Sequence, residues 1–308
     1  MSVFRKITRI LYDYVNALIR RGHWFNEVKF PNCKKFWNYN EFNTEVVNLG
    51  STSGLYAFNY EDMPIKGANW ALSHNPLSAD LAILKNYESF LNPEKSTCII
   101  SLCVFSSLAG SYEINEDRYY TLLYPTSIPH FSYKKQQEIK AIRNRPFLYY
   151  PIISFFQDIK YLLIKARSSL KSEEEMERDA ENWINSWLKE FSISDFSAPL
   201  SLINKDSIDD AAQILNDMIS FCKERNITPV MVLPPMYHTL SMKFTKEARQ
   251  ILLSSLIEKV NDKTVPFYNY MDDKTFGLDI TLYRNSFLLN EKGAKLFTRR
   301  VLSDLRLI

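Results

Sequence analysis

Three hydroxyl side chains follow a short apolar segment in the first fifth of the chain. Residues 45–49 predict a buried β-strand, and Gly50 ends it. Ser51, Thr52 and Ser53 come next. Many hydrolases place their nucleophile at the turn between a strand and a helix, so each of the three is a candidate nucleophile. The alternative is a turn in which these hydroxyls bond only to neighbouring backbone groups.

A hydroxyl nucleophile needs a base, because the group keeps its own proton near neutral pH. Of the four histidines, His74 and His238 fall in predicted loops at the same edge of the sheet, whereas His23 and His130 have no motif around them. We therefore predict His238 or His74 as the base. The carboxylates that would orient it are Asp272, Asp273 and Asp279. The alternative for each histidine is an ordinary hydrogen bond in a surface loop.

A second polar stretch, KGANWALSHNP, places Asn69, Ser73 and His74 in a predicted loop before a helix. Because chemistry in an open parallel sheet gathers at the carboxyl ends of its strands, the three side chains are predicted to line the same site. The cysteines form no CxxC pair and have no His-rich neighbour; they are Cys33, Cys98, Cys103 and Cys222. This spacing predicts neither a metal site nor a disulfide framework, and it fits a reducing, cytoplasmic setting.

Composition limits the class of protein. With 308 residues, 46% of them hydrophobic and 24% charged, the chain is long and apolar enough for one large α/β domain. Only 7 glycines argue against a glycine-rich nucleotide-binding protein, and we predict no cofactor. The net charge of +3 is too small to imply a nucleic-acid partner.

The N-terminal segment predicts a basic amphipathic helix. Its cations are Arg5, Lys6, Arg9, Arg20 and Arg21, and its apolar residues include Phe4, Ile7, Ile10, Leu11 and Leu18. Such a helix can lie on an anionic membrane at its inner face, which predicts a peripheral membrane contact. The plain alternative is a helix packed on the domain with its basic side in solvent. No uncharged apolar run is long enough to predict a membrane-spanning helix.

Apolar β-rich segments alternate with helical patterns, which favours βαβ units and an α/β fold with a mostly parallel sheet. The predicted strands are residues 45–49, 97–105, 228–233 and 265–268, and the predicted helices are 76–91, 207–225, 244–260 and 291–305. Residues 110–203 contain little strand pattern. Two helical segments there, 151–170 and 172–191, predict a helical insertion or cap within a domain of residues 44–308, preceded by an N-terminal lead-in of residues 1–43.

Four short motifs in this order resemble the SGNH, or GDSL-like, superfamily of hydrolases and acyltransferases. They are NLGSTSG, GANWALS, VMVLPPMYH and NSFLLNEKGAKLFT. The resemblance covers about residues 44–110 and 205–308, and it is strongest to bacterial proteins of cell-envelope polysaccharide modification. It implies a three-layer, flavodoxin-like fold and an acyl-ester or acyl-carbohydrate substrate. It also implies an oxyanion hole that includes the Asn69 amide.

The resemblance places the family's serine on Thr52, its aspartate on Asn285 and its histidine on Leu288. The neighbours Asn290 and Gly293 fit the last motif, and Asn290 is a suitable N-cap for the final helix. Leucine cannot accept a proton, and asparagine carries no charge that would stabilise an imidazolium. The scaffold motifs are therefore present without the expected base.

Three interpretations follow. The first is an SGNH-like esterase or O-acyltransferase acting on a carbohydrate, with a hydroxyl of residues 51–53 and a displaced base, His238 or His74. The second is a catalytically degenerate SGNH-like protein that binds a glycan or a partner of a surface-polysaccharide pathway. The third is an α/β domain whose site lies elsewhere, for example in the helical middle.

Overall fold

The computed structural model describes residues 3–109, 117–165, 172–196 and 200–308. The chain divides into two compact units. The first unit takes Met1–Tyr39 and Glu113–Ser169, and the second takes Asn40–Tyr112 and Leu170–Ile308. The predicted division at residue 43, with an insertion from 110 to 203, stays a prediction.

A five-stranded sheet lies at the centre of the second unit, counted over the described residues. Its strands are β1 (Val46–Gly50), β2 (Gly67–Asn69), β3 (Ser96–Ser101), β4 (Ile227–Leu233) and β5 (Phe267–Asn269). Every neighbouring pair is parallel, and the spatial order is β2-β1-β3-β4-β5. This is the strand order of flavodoxin-like doubly wound sheets. The predicted α/β class with a parallel sheet is confirmed.

Helices occupy much of the remaining chain. In order they are α1 (Val3–Ile19), α2 (Thr52–Ala57), α3 (Leu77–Tyr87), α4 (Tyr133–Asn144), α5 (Ile152–Lys165), α6 (Glu173–Glu190), α7 (Leu202–Glu224), α8 (His238–Ser241), α9 (Lys246–Arg249), α10 (Ser255–Glu258), α11 (Lys274–Gly277) and α12 (Glu291–Asp304). A π-helical turn, Gln250–Ser254, joins α9 to α10. Helices α1, α4 and α5 belong to the first unit, and the others belong to the second.

The central strands are buried along almost their whole length, as expected for a parallel sheet covered by helices on both faces. Every residue of β1 and of β3 is buried, and in β4 only Thr228 is exposed. The continuous apolar runs that predicted these strands therefore report burial on both sides of the sheet.

Capping residues begin two of these helices, α6 and α12, and the N-cap predicted at Asn290 is confirmed. The Ser172 hydroxyl accepts a hydrogen bond from the Glu175 backbone N–H, and the Glu175 carboxylate accepts one from the Ser172 N–H. This reciprocal pair is a capping box at the start of α6. At the start of α12, the Asn290 side-chain oxygen accepts from the Gly293 N–H at 3.0 Å.

Several predicted boundaries were wrong. The strand predicted at residues 97–105 ends at Ser101, and the chain after it turns into the short 3-10 helix Ser106–Leu108. Strand β2, which carries Asn69, was predicted as a loop because Gly67–Asn69 contains no β-branched residue. Helix α7 begins at Leu202, five residues before the predicted start. The end of the segment predicted as a helix over 151–170 lies outside the described residues.

Gly50 ends β1 in a conformation that other residues avoid. Its φ is +133°, and a Cβ added there would lie 2.6 Å from the Ser101 carbonyl oxygen on the neighbouring strand. Gly54, one turn into α2, approaches the same residue, because its added Cβ would lie 2.8 Å from the Ser101 hydroxyl. The tight turn that positions the hydroxyl cluster therefore requires glycine at both positions.

We expect Gly50→Ala to lower the free energy of unfolding by about 2–4 kcal/mol, since the substitution combines a positive φ with an overlap against backbone. The matched control is Gly277→Ala, where the nearest contact of an added Cβ is 3.4 Å and φ is not in the positive range. That control is expected to cost about 1 kcal/mol or less. Urea unfolding of both full-length variants measures the difference, and equal midpoints would contradict the prediction.

Candidate functional site

The predicted nucleophile cluster lies where β1 leaves the carboxyl edge of the sheet. Ser51 precedes α2 in an extended conformation, and Thr52 is the first residue of that helix. The Ser51 hydroxyl accepts from the Asn75 backbone N–H at 3.2 Å, and the Thr52 hydroxyl accepts from the His74 backbone N–H at 3.1 Å. Ser53 is buried, with 7% of its surface exposed. Of the three hydroxyls, Ser51 and Thr52 are the half-buried ones at the edge.

A buried carboxylate that the sequence analysis missed supports this turn. Asp80 on α3 is 1% exposed, and its Oδ1 accepts from the Gly50 N–H at 3.1 Å and from the Asn75 side-chain amide at 2.7 Å. Asp80 therefore holds the end of β1 and the turn after β2 together. The sequence does contain a signal for its burial: Asp80 lies on the apolar stripe of α3, three residues after Leu77 and four before Leu84.

Asn69 fastens α2 to the sheet. Its side-chain nitrogen donates to the Leu55 and Phe58 carbonyls at 3.0 and 2.8 Å, and its side-chain oxygen accepts from the Asn48 amide at 3.1 Å. The amide hydrogens that an oxyanion hole would use point at the carbonyls of Leu55 in α2 and of Phe58 directly after it. The structure gives Asn69 a positioning contact, and its predicted place in an oxyanion hole stays a prediction.

The exposed part of this edge combines a hydroxyl, an imidazole, an aromatic ring and a guanidinium. Thr52 and Tyr56 lie one turn apart on the same face of α2, and the Arg284 guanidinium lies 4.4 Å from the centre of the Tyr56 ring. His74 is exposed beside Thr52 with φ of +50°, and Ser73 next to it is half-buried. We call Thr52, Tyr56, His74 and Arg284 the edge surface.

The second predicted base lies in another hydrogen-bond network. His238 was predicted in a loop, but it is the first residue of α8. Its Nδ1 lies 3.2 Å from the Gly277 carbonyl oxygen, and its Nε2 lies 3.1 Å from Oε1 of Glu173 on α6. Both ring nitrogens face oxygen acceptors, and only an imidazolium donates to both. Among the described hydrogen bonds, the His238 ring contacts Glu173 and Gly277, whereas the Ser51 and Thr52 hydroxyls contact the backbone of residues 74 and 75. His238 and the hydroxyl cluster therefore belong to separate networks.

A polar recess of about 800 Å³ lies beside His238, lined by Glu173, Glu174, Glu177, Arg178, His238, Thr239, Met242 and Lys243. Next to it, Tyr237 donates to the Glu173 carboxylate. Burial, together with this hydrogen bond, raises the pKa of Tyr237, and burial raises the pKa of Tyr283. Both phenols are therefore protonated at neutral pH, and neither supplies a base.

The two positions that the resemblance assigns to aspartate and histidine contribute to local structure. The Asn285 side-chain oxygen accepts from the Phe287 and Leu288 N–H groups at 3.1 and 2.7 Å, which closes a turn. Leu288 is 6% exposed and belongs to an apolar cluster with Phe105 and Trp187. No proton acceptor stands at the Leu288 position.

Helix α6 is fixed over this apolar cluster by a contact that the sequence analysis also missed. The Asp179 carboxylate oxygen Oδ2 accepts from the Ser286 N–H at 2.9 Å and from the Ser286 hydroxyl at 2.7 Å. Ser286 is fully buried, and its carbonyl accepts from the Tyr237 N–H at 3.0 Å. The acidic start of α6 gave no indication of this, because Asp179 lies in a mostly exposed, charged sequence.

Over residues 3–109, 117–165, 172–196 and 200–308, no three His, Cys, Asp or Glu side chains are grouped in a way that would hold a metal ion. No family model matches the chain. No curated protein matches it either.

Because position 288 lies in an apolar cluster, we expect Leu288→His to lower the free energy of unfolding by about 2–4 kcal/mol, the cost of a cavity and of an unpaired polar group. The control is Leu288→Met, which conserves volume and is expected to cost less than about 1.5 kcal/mol. Urea unfolding monitored by tryptophan fluorescence measures both variants. A Leu288→His protein as stable as the wild type would mean that this position accepts an imidazole.

Proposed function

We propose that the second unit is an SGNH-like α/β domain that binds a carbohydrate at the edge surface and does not hydrolyse it through a Ser–His–Asp triad. The ligand class follows from the four motifs that resemble bacterial proteins of envelope-polysaccharide modification. The flavodoxin-like strand order supports the resemblance, because ligands of such sheets bind at the carboxyl edge.

One observation carries the non-catalytic part of the proposal. Leu288, at the position of the family's histidine, is buried with Phe105 and Trp187, and Asn285, at the position of the aspartate, caps the same turn. A hydroxyl nucleophile requires a base within hydrogen-bond reach, and the triad also requires a charge that stabilises the imidazolium. At the two positions that the resemblance assigns to the base and the charge, this chain has a leucine that packs in an apolar cluster and an asparagine that caps a turn.

The edge surface has the groups that sugar recognition uses. The Thr52 hydroxyl and the Arg284 guanidinium offer hydrogen bonds to sugar hydroxyls, and the Tyr56 ring holds the guanidinium in place by stacking. The Asp80 and Asn69 contacts fix α2 and its neighbouring turn, so that these groups are held before a ligand arrives. A preorganised surface loses less conformational entropy on binding.

A second candidate function is an ester hydrolase or O-acyltransferase with Thr52 as nucleophile and His74 as base. The observation that favours it is the 3.1 Å contact between the His74 N–H and the Thr52 hydroxyl, which places an imidazole-bearing residue next to the family's nucleophile position. His238 is the less suitable candidate here, because its two ring nitrogens contact Glu173 and the Gly277 carbonyl.

Hydrolysis of p-nitrophenyl acetate separates the two candidates. We expect the wild type, Thr52→Ala, Ser51→Ala and His74→Ala to show the same rate as buffer. A wild-type rate at least about 100-fold above the His74→Ala and Thr52→Ala rates would establish general base catalysis and overturn the non-catalytic proposal.

Binding is tested by a glycan array, followed by calorimetry with the glycan that binds. We expect Arg284→Ala and Thr52→Val to weaken affinity about tenfold each, because each removes hydrogen-bond donors to the sugar. The matched control is Arg299→Ala, an exposed arginine on α12 that is not part of the edge surface. Absence of any glycan binding, or equal loss in the control, would contradict the proposed carbohydrate site.

A further inference from the structure

Helix α1 exposes the apolar side that an amphipathic helix normally buries. Ile7, Ile10, Leu11, Tyr14 and Leu18 recur at helical spacing on one side of the helix, and between 47% and 62% of each is exposed. The plain expectation of a helix packed on the domain with its basic side in solvent is therefore wrong for this stripe.

Polar contacts at its C-terminal end hold α1 in this orientation. The Asn16 side-chain oxygen accepts from the Phe147 N–H at 3.0 Å, and the Arg20 guanidinium donates to the carbonyls of Arg143 and Asn144 at the end of α4. Ile19 is buried. Because these anchors lie in the last turns, the stripe from Ile7 to Leu18 is left in solvent.

Helix α5, in the same unit, also exposes apolar side chains to solvent and buries a polar one. Ile152, Ile153, Phe155 and Phe156 are 83%, 68%, 54% and 65% exposed, whereas Ser154 between them is 3% exposed. The helix is anchored by a carboxylate. Asp158, which interrupts the apolar sequence, accepts from the Trp24 N–H at 2.8 Å and from the Tyr150 hydroxyl at 2.7 Å.

The two helices form one apolar face. Leu18 and Ile19 of α1, with Ile152, Phe155, Phe156 and Ile159 of α5, line a groove of about 930 Å³. Leu18 belongs both to this groove and to the exposed stripe of α1, so the two are continuous, whereas exposed apolar residues on most soluble proteins are scattered singly. We call the exposed apolar residues of the two helices the apolar face: Ile7, Ile10, Leu11, Tyr14 and Leu18 of α1, with Ile152, Ile153, Phe155, Phe156 and Ile159 of α5.

Charge is distributed unevenly between the two units. The first unit contains 17 Lys and Arg against 7 Asp and Glu, a formal net charge of +10, and the second contains 21 against 28, a net charge of −7. The overall +3 hides this difference. The unit that carries the apolar face is therefore the one that attracts anionic partners.

We propose that the apolar face binds the surface of an anionic lipid bilayer, with α1 and α5 lying in the plane of the interface. Exposed aliphatic and aromatic side chains enter the boundary between headgroups and acyl chains, and the cations of the first unit are drawn to the anionic headgroups. Within the part of the chain that the structure describes, no helix is long and apolar enough to cross a membrane.

Two observations favour an anionic bilayer over a second copy of the chain or a nucleic acid. They are charge complementarity and the type of the exposed side chains. A second copy of the chain would bring two units of +10 together, which repel each other. A nucleic acid would be bound through stacked aromatic rings, whereas the stripe of α1 consists mainly of isoleucine and leucine. This inference is independent of the carbohydrate proposal, which concerns the second unit.

The experiment is flotation of the full-length protein with vesicles of phosphatidylcholine, with and without about 30% phosphatidylglycerol. We expect binding to the anionic vesicles at low salt and a loss of most of it in 1 M NaCl, where the Debye length falls to about 3 Å. The variants Ile10→Glu/Phe156→Glu and Arg5→Glu/Lys6→Glu are each expected to lower the partition coefficient about tenfold or more.

Matched controls lie in the second unit. Met242→Glu changes a residue that is 75% exposed, and Lys205→Glu/Lys274→Glu reverses two exposed cations. Both are expected to bind vesicles like the wild type. All substituted positions are exposed, so unchanged circular dichroism and thermal unfolding are expected and verify folding.

Four results would overturn the proposal. They are no flotation with anionic vesicles at low salt, equal binding by Ile10→Glu/Phe156→Glu, equal binding to neutral vesicles, and a dimer that these same variants dissociate. The last result would assign the apolar face to a second copy. A gel-shift in which Arg5→Glu/Lys6→Glu loses RNA binding while vesicles fail to bind would assign it to nucleic acid.

Discussion

The packing of α6 against the sheet decides what the carboxyl edge can do. The Asp179 carboxylate bonds both the backbone and the hydroxyl of Ser286, and this fixes α6 while Trp187 and Leu288 fill the space between helix and strand ends. In an open parallel sheet this edge is the usual place for a ligand. Here a large part of it is apolar and closed to solvent, and exposed polar groups remain toward α2 and in the recess beside His238.

The same arrangement explains how the hydroxyl cluster is used. Ser51 and Thr52 accept backbone N–H groups of the 74–75 turn, and Asp80 holds that turn to the end of β1. These contacts are strong determinants of local geometry, because each satisfies a group near the buried end of a strand. A hydroxyl that accepts a backbone hydrogen bond can still donate its own hydrogen to a ligand, and that property is sufficient for recognition.

The sequence was informative where a local run or pattern of residues reports burial or capping, and less so where one polar side chain acts over a long sequence distance. The strands at β1, β3 and β4, the caps at Ser172 and Asn290 and the α/β class were predictable from local patterns. Strand β2 was not, since only pairing with β1 makes Gly67–Asn69 extended. Neither Asp80 nor Asp179 was identified, because their partners are defined by the tertiary fold. The reversed exposure of α1 was equally hidden, since periodicity shows that a helix has an apolar side without showing where that side points.

The crowding around Ser101 has an evolutionary consequence. Gly50 and Gly54 both lie against this one residue, through its carbonyl oxygen and its hydroxyl respectively. A larger side chain at position 101 would leave still less room at Gly54. A Cβ at Gly54 would also lie 2.9 Å from the Ser101 Cβ, so alanine at 101 would keep the overlap and only glycine there would remove it. Substitutions at these sites are therefore non-additive, as for residues in direct contact elsewhere. Positions 54 and 101 are therefore expected to change as a pair, and position 50 to keep glycine for as long as β1 and β3 stay adjacent.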